Sequence, residues 1–232
     1  MRGVSAPLVS RGERFEDGYV LAALLIVTSI ITYAIVGDHG LGQFTVVVVQ
    51  GLTLIVILRA SDVSRRTLVA AVVLIGVAAA AAAGSIALDR QSMGPGLVGA
   101  GLAFIGPVVI VRRILSHARI DFSTVAASLC VYLLAGLFFA YVFKVIDIAG
   151  GPFFVQRAAA DPIDFVYFSF VTLTTLGYGD LTPRLSLGRM LSISEALLGQ
   201  LYLVSVVALL VSNLGRARDV ARNPDAPEQE EQ

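Results

Sequence analysis

The sequence predicts an all-α membrane protein of six transmembrane helices. Three observations carry this expectation. Of the 232 residues, 56% are hydrophobic and 15% charged, a balance outside the range of soluble domains. Six apolar stretches, at 19–36, 44–58, 67–88, 96–111, 122–143 and 191–214, approach the roughly twenty residues that a helical span requires. The basic residues alternate between successive loops, as the cytoplasmic bias of Lys and Arg demands.

The first stretch reads as a retained helix, not a signal peptide, because a polar-rich segment precedes it and no small-x-small cleavage site comes after it. The second is short but apolar throughout. The third carries Ala78 to Ala83 and ends near Gly84. The fourth carries Gly96, Gly99, Gly101 and Gly106; small residues let helices approach closely, and these are expected to pack within a bundle of the first four helices, docking against the later helices being the alternative. Pro107 is expected to kink or break that helix. With a cytoplasmic N-terminus, twelve of the 17 basic residues fall inside: Arg2, Arg11 and Arg14, then Arg59, Arg65 and Arg66, then Arg112, Arg113 and Arg119, then Arg216, Arg218 and Arg222. Arg90, Lys144, Arg157, Arg184 and Arg189 fall outside, so both termini are predicted to be cytoplasmic. Three regions result: 1–118 with four helices, 119–215 with the last two and the segment between them, and a polar tail at 216–232 expected to be disordered. Cys130 is the single cysteine, which excludes an intrachain disulfide and a cysteine-based metal site. His39 and His117 read as solvated interfacial residues.

A further, shorter helix between the last two has a clear start. Asp161 precedes Pro162, and Asp164 lies in the first turn, which places a capping residue, a first-position proline and an acid where a helix begins. Phe165, Tyr167, Phe168, Ser169, Phe170 and Val171 continue it to about Thr174. Its C-terminal end, with roughly half a negative charge, favours a cation nearby. Next comes the run Thr172, Leu173, Thr174, Thr175, Leu176, Gly177, Tyr178, Gly179, Asp180, Leu181, Thr182, Pro183. Gly177 and Gly179 alternate with larger residues, so the carbonyls can all point one way if the backbone swings between left- and right-handed regions, which glycine allows. An ordinary turn is the alternative; the apolar helix before it and the membrane-length helix after it argue against that.

This run, with its flanking helices from 122 to 213, resembles the outer helix, re-entrant pore helix, selectivity filter and inner helix of the potassium channel family, in which the pore helix enters the membrane partway and turns back as the filter. The resemblance implies a homotetrameric pore in which Thr175, Leu176, Gly177 and Tyr178 offer rings of carbonyl oxygen to K⁺, with the Thr175 hydroxyl as one more ring and Gly179 completing the filter. No cofactor is implied beyond the permeant ion. Asp180 would stand at the outer mouth. Val171 occupies the position where some members place a glutamate behind the filter, so Asp180 is expected to turn to Tyr167 or to water. Tyr167, Phe168 and Phe170 would form a cuff around the filter, and Leu176 replaces the commoner valine. Gly199 takes the place of the family's hinge glycine, with close helix packing as its other reading, and Gln200, Leu203, Val207 and Val211 would line the cavity and lower gate. Glu195 is the one acid inside a predicted span, which marks it as a functional candidate; it is expected to brace the filter from behind as a protonated carboxyl, an ion-facing charge being the alternative.

The expected activity is passive, K⁺-selective conduction across a plasma membrane, a bacterial inner membrane by resemblance. Rival readings are a weakly selective cation channel, a subunit of a K⁺ transporter and a nonconducting regulatory subunit. No enzymatic motif such as His-Glu-x-x-His or Gly-x-Ser-x-Gly occurs, no nucleic-acid partner is expected, and a separate regulatory partner is left open. The stretch 96–111 holds no arginine, so a voltage sensor is not expected there.

Overall fold

The computed structural model describes residues 11–36, 40–61, 63, 65–66, 68–69, 72–73, 75–77, 80, 93–116 and 122–222. The architecture is all-α: α1 (Arg11–Val36), α2 (Gly40–Ala60), α3 (Met93–Ser116), α4 (Phe122–Gly150), the short α5 (Pro162–Leu173) and the long α6 (Ser186–Arg222). Described residues between 65 and 80 are also helical. Expectations placed on residues 1–10, His39, 81–88, Arg90, His117, Arg119 and 223–232 lie outside the described residues, as do the side chains of Arg11, Arg14, Val211, Arg216, Arg218 and Arg222.

Among the described residues three stretches are long and apolar enough to cross a membrane, Gly96–Ile114, Thr124–Gly150 and Ser186–Leu209, while α1 and α2 hold shorter apolar runs at Gly18–Thr32 and Val48–Ala60. The helices overrun the apolar stretches that predict them, since intrahelical hydrogen bonding continues through the headgroup layers on either side of the hydrocarbon. The inner end of α6 shows this most. Residues 216–222, predicted as the start of a disordered tail, are helical, because Ala and Arg there favour helix and no proline intervenes before Pro224. Helix α3 likewise runs unbroken through Pro107.

Helix α4 is the hub. It packs on α1, α3, α5 and α6, and α1 also reaches α5. The glycines of α3 correct the expectation that they serve only the leading bundle. A Cβ on Gly99 would lie 2.8 Å from the Tyr141 ring, one on Gly106 2.6 Å from Leu134, and one on Gly96 3.0 Å from Val145. All three neighbours belong to α4, so the glycine face docks the leading helices onto the outer helix of the re-entrant unit. Polar contacts reinforce the seam. Buried Tyr141 donates to Gln50 Oε1 at 3.1 Å, and the fully buried Cys130 thiol donates to the Tyr19 carbonyl at 3.3 Å. Arg113, near the end of α3, donates to the Ala60 carbonyl at the end of α2, which satisfies one of the carbonyls a helix end leaves open.

Candidate functional site

Helix α5 begins as its sequence dictates. Pro162 takes the first helical position, and Asp164 Oδ2 accepts the Asp161 N–H at 3.0 Å. Arg157 fixes the same carboxylate, with Nη1 donating to Oδ2 at 2.8 Å and Oδ1 at 3.0 Å. At the other end, the last four carbonyls of the helix are all engaged. Phe170 O accepts Thr174 N–H at 3.0 Å, Thr172 O accepts Thr175 N–H at 3.0 Å, and Val171 O accepts Leu176 N–H at 2.9 Å and Gly177 N–H at 3.4 Å. Leu173 O accepts the Tyr132 hydroxyl of α4 at 3.2 Å. The chain leaving the helix is thus tied back to it by its own amides.

That tether shapes the backbone beyond the helix. Thr175, Gly177 and Gly179 take φ of 60°, 58° and 77°, while Leu176 and Tyr178 between them do not enter the positive region. The left-handed state is inexpensive for glycine but costs about 1–3 kcal/mol for a residue such as Thr175, and strain of that kind concentrates at functional sites. With the amides of Leu176 and Gly177 facing the helix end, the carbonyls of Thr175 to Tyr178 accept no hydrogen bond among the described residues. Residues 174–180 are all exposed on the single chain.

Asp180 finds its partner in Tyr167, whose hydroxyl donates to Oδ2 at 2.8 Å. The Tyr167 ring also stacks on Tyr178, with centroids 6.5 Å apart and planes 9° apart. The other two residues of the expected cuff point elsewhere. Phe168 is buried against Phe143, Phe153 and Phe154, and Phe170 packs on Gly136 of α4, where a Cβ would lie 2.8 Å from its ring. A helical step of one residue turns a side chain by more than a quarter of a circle, which takes Phe168 off the Tyr167 face, whereas Phe170, three residues on, is drawn to the gap left by Gly136.

Glu195 is fully buried. Its Oε1 meets Ser169 Oγ, which also donates to the Gly136 carbonyl at 2.6 Å; Oε2 has no partner among the described residues. Pore helix, outer helix and inner helix therefore converge on Ser169, a residue that sequence reasoning placed in the helix without assigning it a role. Gly199 lies one turn farther along α6, and a Cβ there would stand 2.5 Å from the Leu173 carbonyl. Close helix approach is thus built into that position. Gln200, Leu203 and Val207 are exposed on the single chain, away from this junction.

Residues 127–216 match the family described as ion channel. A protein from Oryza sativa subsp. japonica named two pore potassium channel a is 32% identical over 109 residues, covering 47% of this chain and 28% of the relative. Potassium channel K1 of Plasmodium berghei (strain Anka) is 45% identical over 38 residues, covering 16% of this chain and 2% of the relative. Protein LctB of Bacillus caldotenax is 33% identical over 87 residues, covering 34% of this chain and 64% of that protein. The chain therefore spans about a quarter of the length of the plant channel and under two thirds of the Bacillus protein. No solved structure matches it.

Proposed function

We propose that four copies of this chain form a K⁺-selective channel that conducts passively across a plasma membrane, with six spans per chain and both termini cytoplasmic. The observation that carries the reading is the alternation of positive φ at Thr175, Gly177 and Gly179, which leaves successive carbonyls free to replace the hydration shell of a cation. Non-helical backbone is not stable against lipid and persists at membrane depth only when enclosed by protein or lining water. One chain leaves residues 174–180 exposed, so further copies must close around them, and cyclic symmetry generates the ring. Helix α6 supports this: Met190, Ile193, Leu197, Leu201 and Val204 are all more than half exposed and succeed one another at helical spacing, a stripe suited to neighbouring inner helices.

Recording from the purified protein in bilayers tests the reading. Reversal potentials in opposed Na⁺ and K⁺ gradients are expected to track K⁺, and equal permeability would transfer the assignment to a weakly selective cation channel. In symmetric K⁺, open probability is expected to vary only weakly with voltage. Helix α3 has its only described arginines, Arg112 and Arg113, at its last turns, and Arg113 is held by the Ala60 carbonyl. A charge so anchored does not cross the field, and each crossing charge contributes only about 2.3 kcal/mol per 100 mV. Steep activation in that recording would overturn this part.

Glu195 braces the filter from behind, through Ser169. Because Ser169 uses its hydroxyl hydrogen toward Gly136, a carboxyl that keeps its proton can donate to Ser169, and an amide can do the same. Glu195→Gln is therefore expected to preserve the K⁺ over Na⁺ preference while changing mean open time. Unchanged gating with sharply reduced single-channel current would instead assign the carboxyl to the ion path.

A further inference from the structure

The segment 151–161, between α4 and α5, is fastened at both ends. Asp147 Oδ1 accepts the Phe153 N–H at 2.7 Å, Phe153 and Phe154 are buried among Phe143, Phe165 and Phe168, and Arg157 grips Asp164. Its middle meets the chain that leaves the filter. Phe154 and Pro183 form an isolated antiparallel bridge, with Val155 N–H donating to Thr182 O at 3.0 Å and Arg184 N–H to Phe153 O at 2.7 Å. Beyond that bridge the backbones part, and a side chain continues the pairing. Gln156 Oε1 accepts Thr182 N–H at 2.9 Å, while Gln156 Nε2 donates to Thr182 Oγ1 at 2.8 Å; a longer contact joins Thr182 Oγ1 to Oε1 at 3.3 Å.

Thr182 stands two residues after Asp180 and three after Gly179. Beside that backbone bridge, two side chains hold the exit of the filter, Tyr167 on Asp180 from the pore helix and Gln156 on Thr182 from the loop. Only the first belongs to the pore helix. We propose that Gln156 is a positioning residue for ion binding: its carboxamide completes the antiparallel bridge to Thr182 and fixes the exit chain from which the outermost carbonyls, those of Gly177 and Tyr178, are held toward the ion. The proposal rests on the K⁺ channel reading. If the hold were absent, the chain after Gly179 could rotate about its backbone, and the left-handed glycine beside it offers little resistance to that rotation.

The test is the K⁺ concentration at which the protein gains thermal stability in detergent, measured against Na⁺, since an ion bound only by the folded state raises the unfolding temperature by mass action. Gln156→Ala is expected to raise the K⁺ midpoint about fivefold, the weakening that corresponds to losing one hydrogen bond's net contribution, with the unfolding temperature in Na⁺ unchanged. Gln156→Glu keeps acceptors for both the Thr182 N–H and hydroxyl and is expected to match the native midpoint. Thr182→Val keeps the backbone bond and loses the hydroxyl, and is expected to fall between. A native midpoint in Gln156→Ala, or equal shifts in Gln156→Ala and Gln156→Glu, would overturn the proposal and leave the channel reading intact. A native protein equally stable in K⁺ and Na⁺ would end the channel reading itself, and this proposal with it.

Discussion

Gly177→Ala is expected to abolish K⁺-selective current while the protein still folds. The space around the position is open, with nothing within 4 Å of an added Cβ, so the effect is conformational. At φ 58° an L side chain costs roughly 1–2 kcal/mol, and in the proposed ring of four chains that cost would fall on every copy. Turning the peptide would relieve it but, in that ring, would turn a carbonyl away from the axis and present an N–H to the cation. Bilayer recording of the variant, beside a mass measurement showing that it assembles as the native protein does, checks the expectation. Selective current of native size would show that the left-handed state at Gly177 is not what the filter requires.

Gly199→Val is expected to cause the next largest loss, and by a different route. Here a Cβ would meet backbone, the Leu173 carbonyl at 2.5 Å, as well as Leu173 Cδ1 at 2.8 Å. A carbonyl that also accepts the Tyr132 hydroxyl cannot retreat without giving up that bond, so α6 must move off the end of α5. Overpacking of this kind typically costs about 1–3 kcal/mol, and it bears on the carbonyl end from which the filter hangs. Lower thermal stability together with lost K⁺ selectivity is the expected result. A variant of native stability and native selectivity, altered only in opening and closing, would instead make Gly199 a hinge.

The backbone course of residues 174–180 was largely legible because its information is local. The alternation of Gly177 and Gly179 with larger residues, and the Asp161, Pro162 and Asp164 start of α5, each lie within a few residues and act through the backbone itself. What the sequence withheld is helical phase. Helices α3 and α4 are apolar nearly all round, so periodicity does not say which face is buried in protein and which in lipid. For that reason Gly99 and Gly106 could not be assigned to Tyr141 and Leu134, and Phe168 and Phe170 looked as eligible for the filter as Tyr167. The junction of Glu195 with Ser169 and the grip of Gln156 on Thr182 join residues 26 apart, and neither serine nor glutamine carries a pattern that announces such a partner. Pro107, expected to kink or break its helix, does not break α3.

The burial of Cys130 has a practical consequence for labelling. Its thiol is enclosed between α4 and α1 and donates to the Tyr19 carbonyl, and a structural cysteine so placed is inert toward reagents. The native chain thus behaves as a cysteine-free background for thiol chemistry. Single cysteines installed at Met190, Ile193, Leu197, Leu201 or Val204 can be tested one at a time, without first removing the residue that secures α1 to α4. Slow modification along that ladder would show that other copies of the chain cover the stripe, and fast modification that they leave it open.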